Sequence, residues 1–158
     1  MKKIGTEIKW ALIFIIMGIL WMLLERLTGL HGEHIDKHPI YTNLVAIPAI
    51  LVYVLALLDK RKNAYNGKMS YKQGFVSGLI ITLFVTLITP LAQYINLTYI
   101  TPEYFTNVIE YATEHGEMSQ SEAMNYFNLK NYIIQATISS PIMGTITSAI
   151  VAIFTMKR

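Results

Sequence analysis

The chain has 158 residues, 53% of them hydrophobic and 15% charged, against about 25% charged in an ordinary soluble domain. It contains no cysteine, which excludes disulfides, thiolate metal ligands and a cysteine nucleophile. Its net charge of +3 forms no basic stripe, so nucleic acid is not an expected partner. The length suits a single domain, 1–158.

The first apolar run spans about residues 8–27. Lys2 and Lys3 followed by Trp10 to Leu24 resemble a signal peptide, but Leu24-Glu25-Arg26-Leu27 offers no small-x-small cleavage site. The run is therefore read as a retained span, since about 20 residues cross ~30 Å of hydrocarbon. Glu25 follows fifteen uncharged residues and falls in the outer quarter of this span. An ionisable group at such depth is costly and usually paired. Arg26 points about 100° away on a helix. The better partners are Asn43, Gln93, Asn96 and Gln135, all near the same ends of the other spans. With Glu25 they form a candidate polar pocket. The competing reading is a carboxylate that snorkels to water.

The first loop carries His31, His34 and His38. On a helix these spacings would bring the imidazoles to one face, where they could bind zinc or another first-row metal with Glu33 or Asp36. They could equally sense pH. Gly29, Gly32 and Pro39 argue against a regular helix through the whole segment.

The second span covers 39–58, starting at Pro39, a residue suited to the first helical position. Asp59-Lys60-Arg61-Lys62 ends it in water. The third covers 70–97 and opens with a capping box, Ser70 with Gln73. Eleven Val, Ile, Leu and Phe residues lie between Phe75 and Leu91, favouring insertion by about 3–6 kcal/mol. The outer loop, about 101–131, reads as one or two short amphipathic helices. Thr101-Pro102-Glu103 starts the first, Gly116 ends it, and Ser119 with Glu122 caps the second. The fourth span covers 132–156. Pro48, Pro90 and Pro141 fall inside spans and are expected to kink them. Gly74 and Gly78 on the third span, and Ser140, Gly144 and Ser148 on the fourth, form small-residue faces. Such faces let backbones approach closely, either within the bundle or in a homodimer.

All but Arg26, Lys37 and Lys130 of the thirteen basic residues flank the termini and the second loop. The positive-inside rule puts those segments in the cytoplasm and the first and third loops outside. All four histidines, and every carboxylate except Glu7 and Asp59, then lie on the outer side.

Three stretches, Gly29 to Asn43 (GLHGEHIDKHPIYTN), Tyr65 to Gly74 (YNGKMSYKQG) and Met118 to Gln135 (MSQSEAMNYFNLKNYIIQ), resemble the domain-of-unknown-function family numbered 4199. The resemblance covers nearly the whole chain. It implies a small bacterial four-span protein of the inner membrane of a Gram-negative cell, and it assigns no chemistry to any residue.

The expected fold is therefore all-α, an integral membrane bundle of four transmembrane helices. No nucleophile elbow or phosphate loop is present, and no cofactor is expected. The leading expectation is a non-enzymatic scaffold or accessory subunit in the lipid bilayer, as a homodimer or within a larger membrane complex. The alternatives are a small ligand- or ion-handling protein using the outward polar pocket, and a periplasmic metal or pH sensor using the first-loop histidines.

Overall fold

Apolar runs of this length can satisfy their backbone in a bilayer by coiling into helices, and all four do so. The computed structural model describes residues 4–157, so the flanking charges Lys2, Lys3 and Arg158 lie outside the described residues. Four helical segments are long and apolar enough to cross a membrane: Gly5–Leu27, Ile35–Ala64, Tyr71–Ile100 and Leu129–Thr155. The chain is an all-α bundle. Its helices are α1 (Gly5–Leu27), α2 (His38–Tyr41), α3 (Ala46–Ala64), α4 (Tyr71–Ile95), α5 (Tyr104–Glu114), α6 (Gln120–Tyr126) and α7 (Leu129–Thr155).

The caps follow local chemistry. Ser70 accepts from the Gln73 amide, and the Gln73 side chain accepts from the Ser70 amide, opening α4. Ser119 and Glu122 do the same for α6. Gly116, at φ +67°, ends α5. The Glu117 amide reaches back to Ala112, satisfying a carbonyl that the helix end leaves free.

Two spans depart from the sequence reading. The second is not one regular helix. Residues 35–37 and 42–45 wind more tightly as 3-10 turns on either side of α2. Pro48, which cannot donate, falls in the first turn of α3. The helix runs on to Ala64, so residues 59–62 are helical; Lys62 is exposed, but Lys60 turns inward. Lys60 lies on the stripe of Tyr53, Ala56 and Leu57 and is only 3% exposed. The third span passes from α4 into one π-helical turn at Asn96–Ile100.

The tightest packing in the molecule joins α4 to α7 through their small residues. A Cβ on Gly78 would stand 2.5 Å from Ser148 Oγ, and one on Gly144 would collide with the Thr82 side chain. Gly74 faces Ala152. Thr86 and Ser140 share a hydrogen bond at 3.1 Å. Thr82 donates to the Gly78 carbonyl at 3.0 Å and so accepts from Tyr53 on α3 at 2.8 Å. The main core builds out from this contact: Ala11, Tyr53, Ala56, Leu57, Met69, Ile81, Val85, Val151 and Ala152. Most of these lie toward the end of the bundle where the α3–α4 turn sits, while Tyr53 and Val85 also border the cleft described below. At that end, paired backbone bonds between Met69 and Lys157 tie the last residues to the α3–α4 turn.

The outward faces are apolar stripes at four-residue spacing, such as Leu83, Leu87 and Leu91 on α4 and Ile138, Ile142, Ile146 and Ile150 on α7. In water such stripes would drive aggregation; in a bilayer they face lipid.

Toward the other end α1, α3 and α7 pack more loosely, while Thr89, Ala92 and Asn96 of the third span stay buried. No apolar residue of α1 beyond Ala11, of α3 before Val52, or of α7 before Val151 belongs to the buried set. A cleft of about 500 Å³ opens between α1, α3, α4 and α7.

The close contact predicts that Gly144→Ala and Gly78→Ala each destabilise the bundle by about 1–3 kcal/mol, the usual cost of overpacking. Gly18→Ala, whose Cβ would meet nothing within 4 Å, should be neutral or slightly stabilising. Thermal unfolding in detergent measures all three.

Candidate functional site

Glu25 occupies the last turn of α1, and the chain beyond that helix folds partners back over it. Gly29 takes φ +78°, a conformation that disfavours any side chain. The Leu30 amide donates to the Glu25 carbonyl at 2.9 Å, and the Gly29 amide to that of Arg26 at 3.1 Å. This is a Schellman closure. It reverses the chain and lays His31 against the carboxylate it has just passed.

Glu25 is 2% exposed, and His31 is 5% exposed. The carboxylate does not reach water by snorkelling. Its Oε1 accepts from the Trp21 indole at 2.6 Å, one helical turn earlier. Its Oε2 lies 3.1 Å from His31 Nε2 and 3.6 Å from His38 Nε2. The Thr42 hydroxyl stands beside the same carboxylate. The two imidazoles meet edge to face at 5.1 Å between ring centres.

The helical segment between α4 and α7 forms a cap that closes over this cluster. Tyr104 of α5 packs against His31 at 5.0 Å and His38 at 5.3 Å, and its hydroxyl pairs with that of Tyr132 at 3.0 Å. Burial, with Tyr132 alongside, pushes the Tyr104 phenol well above its ordinary range, so it stays neutral. Asn107 of α5 donates to the His31 carbonyl at 2.7 Å. Arg26 turns away and donates to the Ile100 carbonyl at 2.7 Å, capping the π turn.

The structure divides the residues singled out by sequence. His31 and His38 converge, but His34 does not join them. It is 45% exposed and stands 3.6 Å from Glu33, because the turn after Gly29 replaces the helix that would have aligned all three. Glu25, Asn43, Gln93 and Asn96 line the cleft, whereas Gln135 is exposed on α7 and does not. Asn43 donates locally to the Pro39 carbonyl at 2.7 Å. Asn96 is 6% exposed, and its Oδ1 is buried without a partner.

Sequence reasoning missed a second buried cluster at the terminal end. Lys60 binds Glu7 at 2.7–2.8 Å, and Ser77 donates to the same carboxylate at 2.7 Å. The signal was available. Residues 53, 56, 57 and 60 follow one helical face, and three of them are apolar. Beside it, Asp59 accepts from Lys9, Trp10 and Asn63. This cluster joins α1, α3 and α4, and it is satisfied within itself.

The fold and its apolar surface define a helical membrane protein with four spanning segments. Residues 9–157 match the family described as a protein of unknown function, DUF4199, and the chain belongs to that family. No curated protein and no solved structure matches it.

Proposed function

We propose that this chain is a non-enzymatic membrane protein that binds a small amphiphile in the cleft between α1, α3, α4 and α7. The cleft itself carries the reading. Its walls are largely apolar, with Phe14, Ile19, Ala49 and Met143 among them, and its carboxylate and amide side chains, Glu25, Asn43, Gln93 and Asn96, gather at the capped end. A scaffold or accessory subunit needs no such volume and would gain from filling it.

The polar end selects a kind of head group. Glu25 and the unpaired Asn96 Oδ1 are acceptors, and no lysine or arginine lines the cleft. A neutral or cationic head that donates hydrogen bonds suits this end; an anionic head does not. Leaving a buried acceptor unpaired costs about 1–3 kcal/mol, and a donor on the ligand would recover it.

We place the protein in a bacterial inner membrane with its termini in the cytoplasm. The support is the concentration of lysine and arginine around the termini and the α3–α4 turn. The cleft and the cap then open outward.

Gly18 lines the cleft, and a side chain there meets nothing at its Cβ. Gly18→Phe should therefore fold normally and lose an amphiphile that the native chain retains. Native mass spectrometry of protein extracted from its own membrane checks this. Equal adducts on both proteins, or none on either, would count against the cleft.

The orientation has its own test. Gly67 and Gly116 have positive φ, so single cysteines belong at their exposed neighbours Lys68 and Glu117. Lys68→Cys should resist an impermeant maleimide in intact cells, and Glu117→Cys should react. Equal labelling would overturn the orientation.

A further inference from the structure

From the cluster beneath the cap, we infer that Glu25, His31 and His38 form a binding site for a first-row divalent cation, with Zn²⁺ as its simplest occupant. Among the described residues this is the one group of three such side chains whose donor atoms all lie within 4.8 Å of one another.

Spacing comes first. Donors bound tetrahedrally to zinc at ~2.0–2.1 Å lie about 3.3 Å apart. The Glu25 Oε2 to His31 Nε2 and His38 Nε2 distances of 3.1 and 3.6 Å bracket that value. The longer one exceeds good hydrogen-bond length, yet it suits two ligands of one ion. Small side-chain movements bring all three donors onto a common centre.

Charge is the second ground. Glu25 is buried, and its contacts are two imidazoles, an indole and a hydroxyl, with no lysine or arginine among them. A buried carboxylate without a fixed cation is costly. A divalent ion supplies the missing charge and leaves both imidazoles neutral, the form in which they ligate.

The surroundings are the third. A ligating carboxylate is ordinarily held by an outer hydrogen bond, and Trp21 donates to the Glu25 oxygen that faces away from the histidines. Tyr104 covers the imidazoles. Two openings give access. A groove of about 320 Å³ runs past Trp21, Glu25 and His34, and a smaller pocket reaches His31 beside Arg26 and Asn107. His31 Nδ1, buried without a protein partner, needs a water from that pocket once Nε2 holds the ion. Two imidazoles and one carboxylate make a three-ligand set with room for a fourth, exchangeable position.

Glu25 also borders the cleft, so the ion would sit at the polar end of the amphiphile site; Zn²⁺ binding is read directly, which keeps its failure distinguishable from a failure of amphiphile binding. The test uses the full chain in detergent, stripped with a chelator and dialysed against Zn²⁺, with Co²⁺ as a spectroscopic probe. We expect one Zn²⁺ per chain and visible Co²⁺ absorption of tetrahedral or five-coordinate intensity. His38→Gln and Glu25→Gln should each weaken Zn²⁺ binding by more than about 100-fold, since even outer-shell partners are worth 10–100-fold. His34→Ala should bind as the native chain does. If the ligand variants fail to fold, the Zn²⁺-induced rise in melting temperature decides, and it should appear equally in the native chain and in His34→Ala. Substoichiometric binding overturns the site. So does binding that survives His38→Gln, that falls equally with His34→Ala, or that leaves the native melting temperature unmoved.

Discussion

The approach of α4 to α7 organises this molecule. In a bilayer, lipid tails are as apolar as leucine, so helices associate through close packing and hydrogen bonds. Gly78 against Ser148 and Gly144 against Thr82 bring two backbones nearer than any larger side chains would permit. Tyr53 then joins α3 to the pair through Thr82, and Ala11 and Ala56, fully buried, let α1 and α3 settle against them. The small-residue contact extends only part of the way along the helices. Toward the cap, larger or polar side chains such as Trp21, Asn43, Gln93 and Asn96 line a cleft between the helices. The closed half and the cleft are two results of one packing pattern.

The two buried carboxylates show how differently a bundle can hold a charge. Glu7 meets Lys60 and Ser77, so its charge is cancelled by a fixed cation and its oxygens are filled. Breaking such a pair is destabilising because it strands one charge, and the pair serves mainly to fix which helices meet. Glu25 has the same depth of burial but no lysine or arginine. Its partners are side chains that can exchange a proton or bind an ion, and it stands where the cleft, a surface groove and the cap come together. The first cluster is complete without anything else. The second is chemically open.

Much of the architecture was legible because it rests on local rules. Four apolar runs, two capping boxes, Gly116 at a helix end and small residues at four-residue spacing each have a physical meaning that tertiary context did not override. Glu25 was legible as an anomaly of depth. Its partners were not, because the choice between His31 and His34 turns on one positive-φ glycine: a helix would have aligned all three histidines, and the reversal at Gly29 selects two. Gln135 failed as a pocket residue because proximity to a helix end says nothing about which face a side chain occupies. Lys60 was misread because a run of charges after an apolar segment ordinarily marks water, and only its place on the Tyr53–Leu57 stripe pointed inward. Helix ends and charge runs are local features, whereas pairing across helices depends on rotations that no single segment encodes.

The bundle is closed at one end and open at the other, with its chemistry at the open end. The absence of native cysteine allows a direct measurement of that division: the rate at which single introduced thiols react with a small maleimide in the purified protein. Ala49 and Ala136 line the cleft, while Ala56 and Ala152 are fully buried in the closed half. Ala49→Cys and Ala136→Cys should react, and Ala56→Cys and Ala152→Cys should not. Uniform protection at all four positions, or faster reaction at the latter pair, would contradict an open half at the capped end.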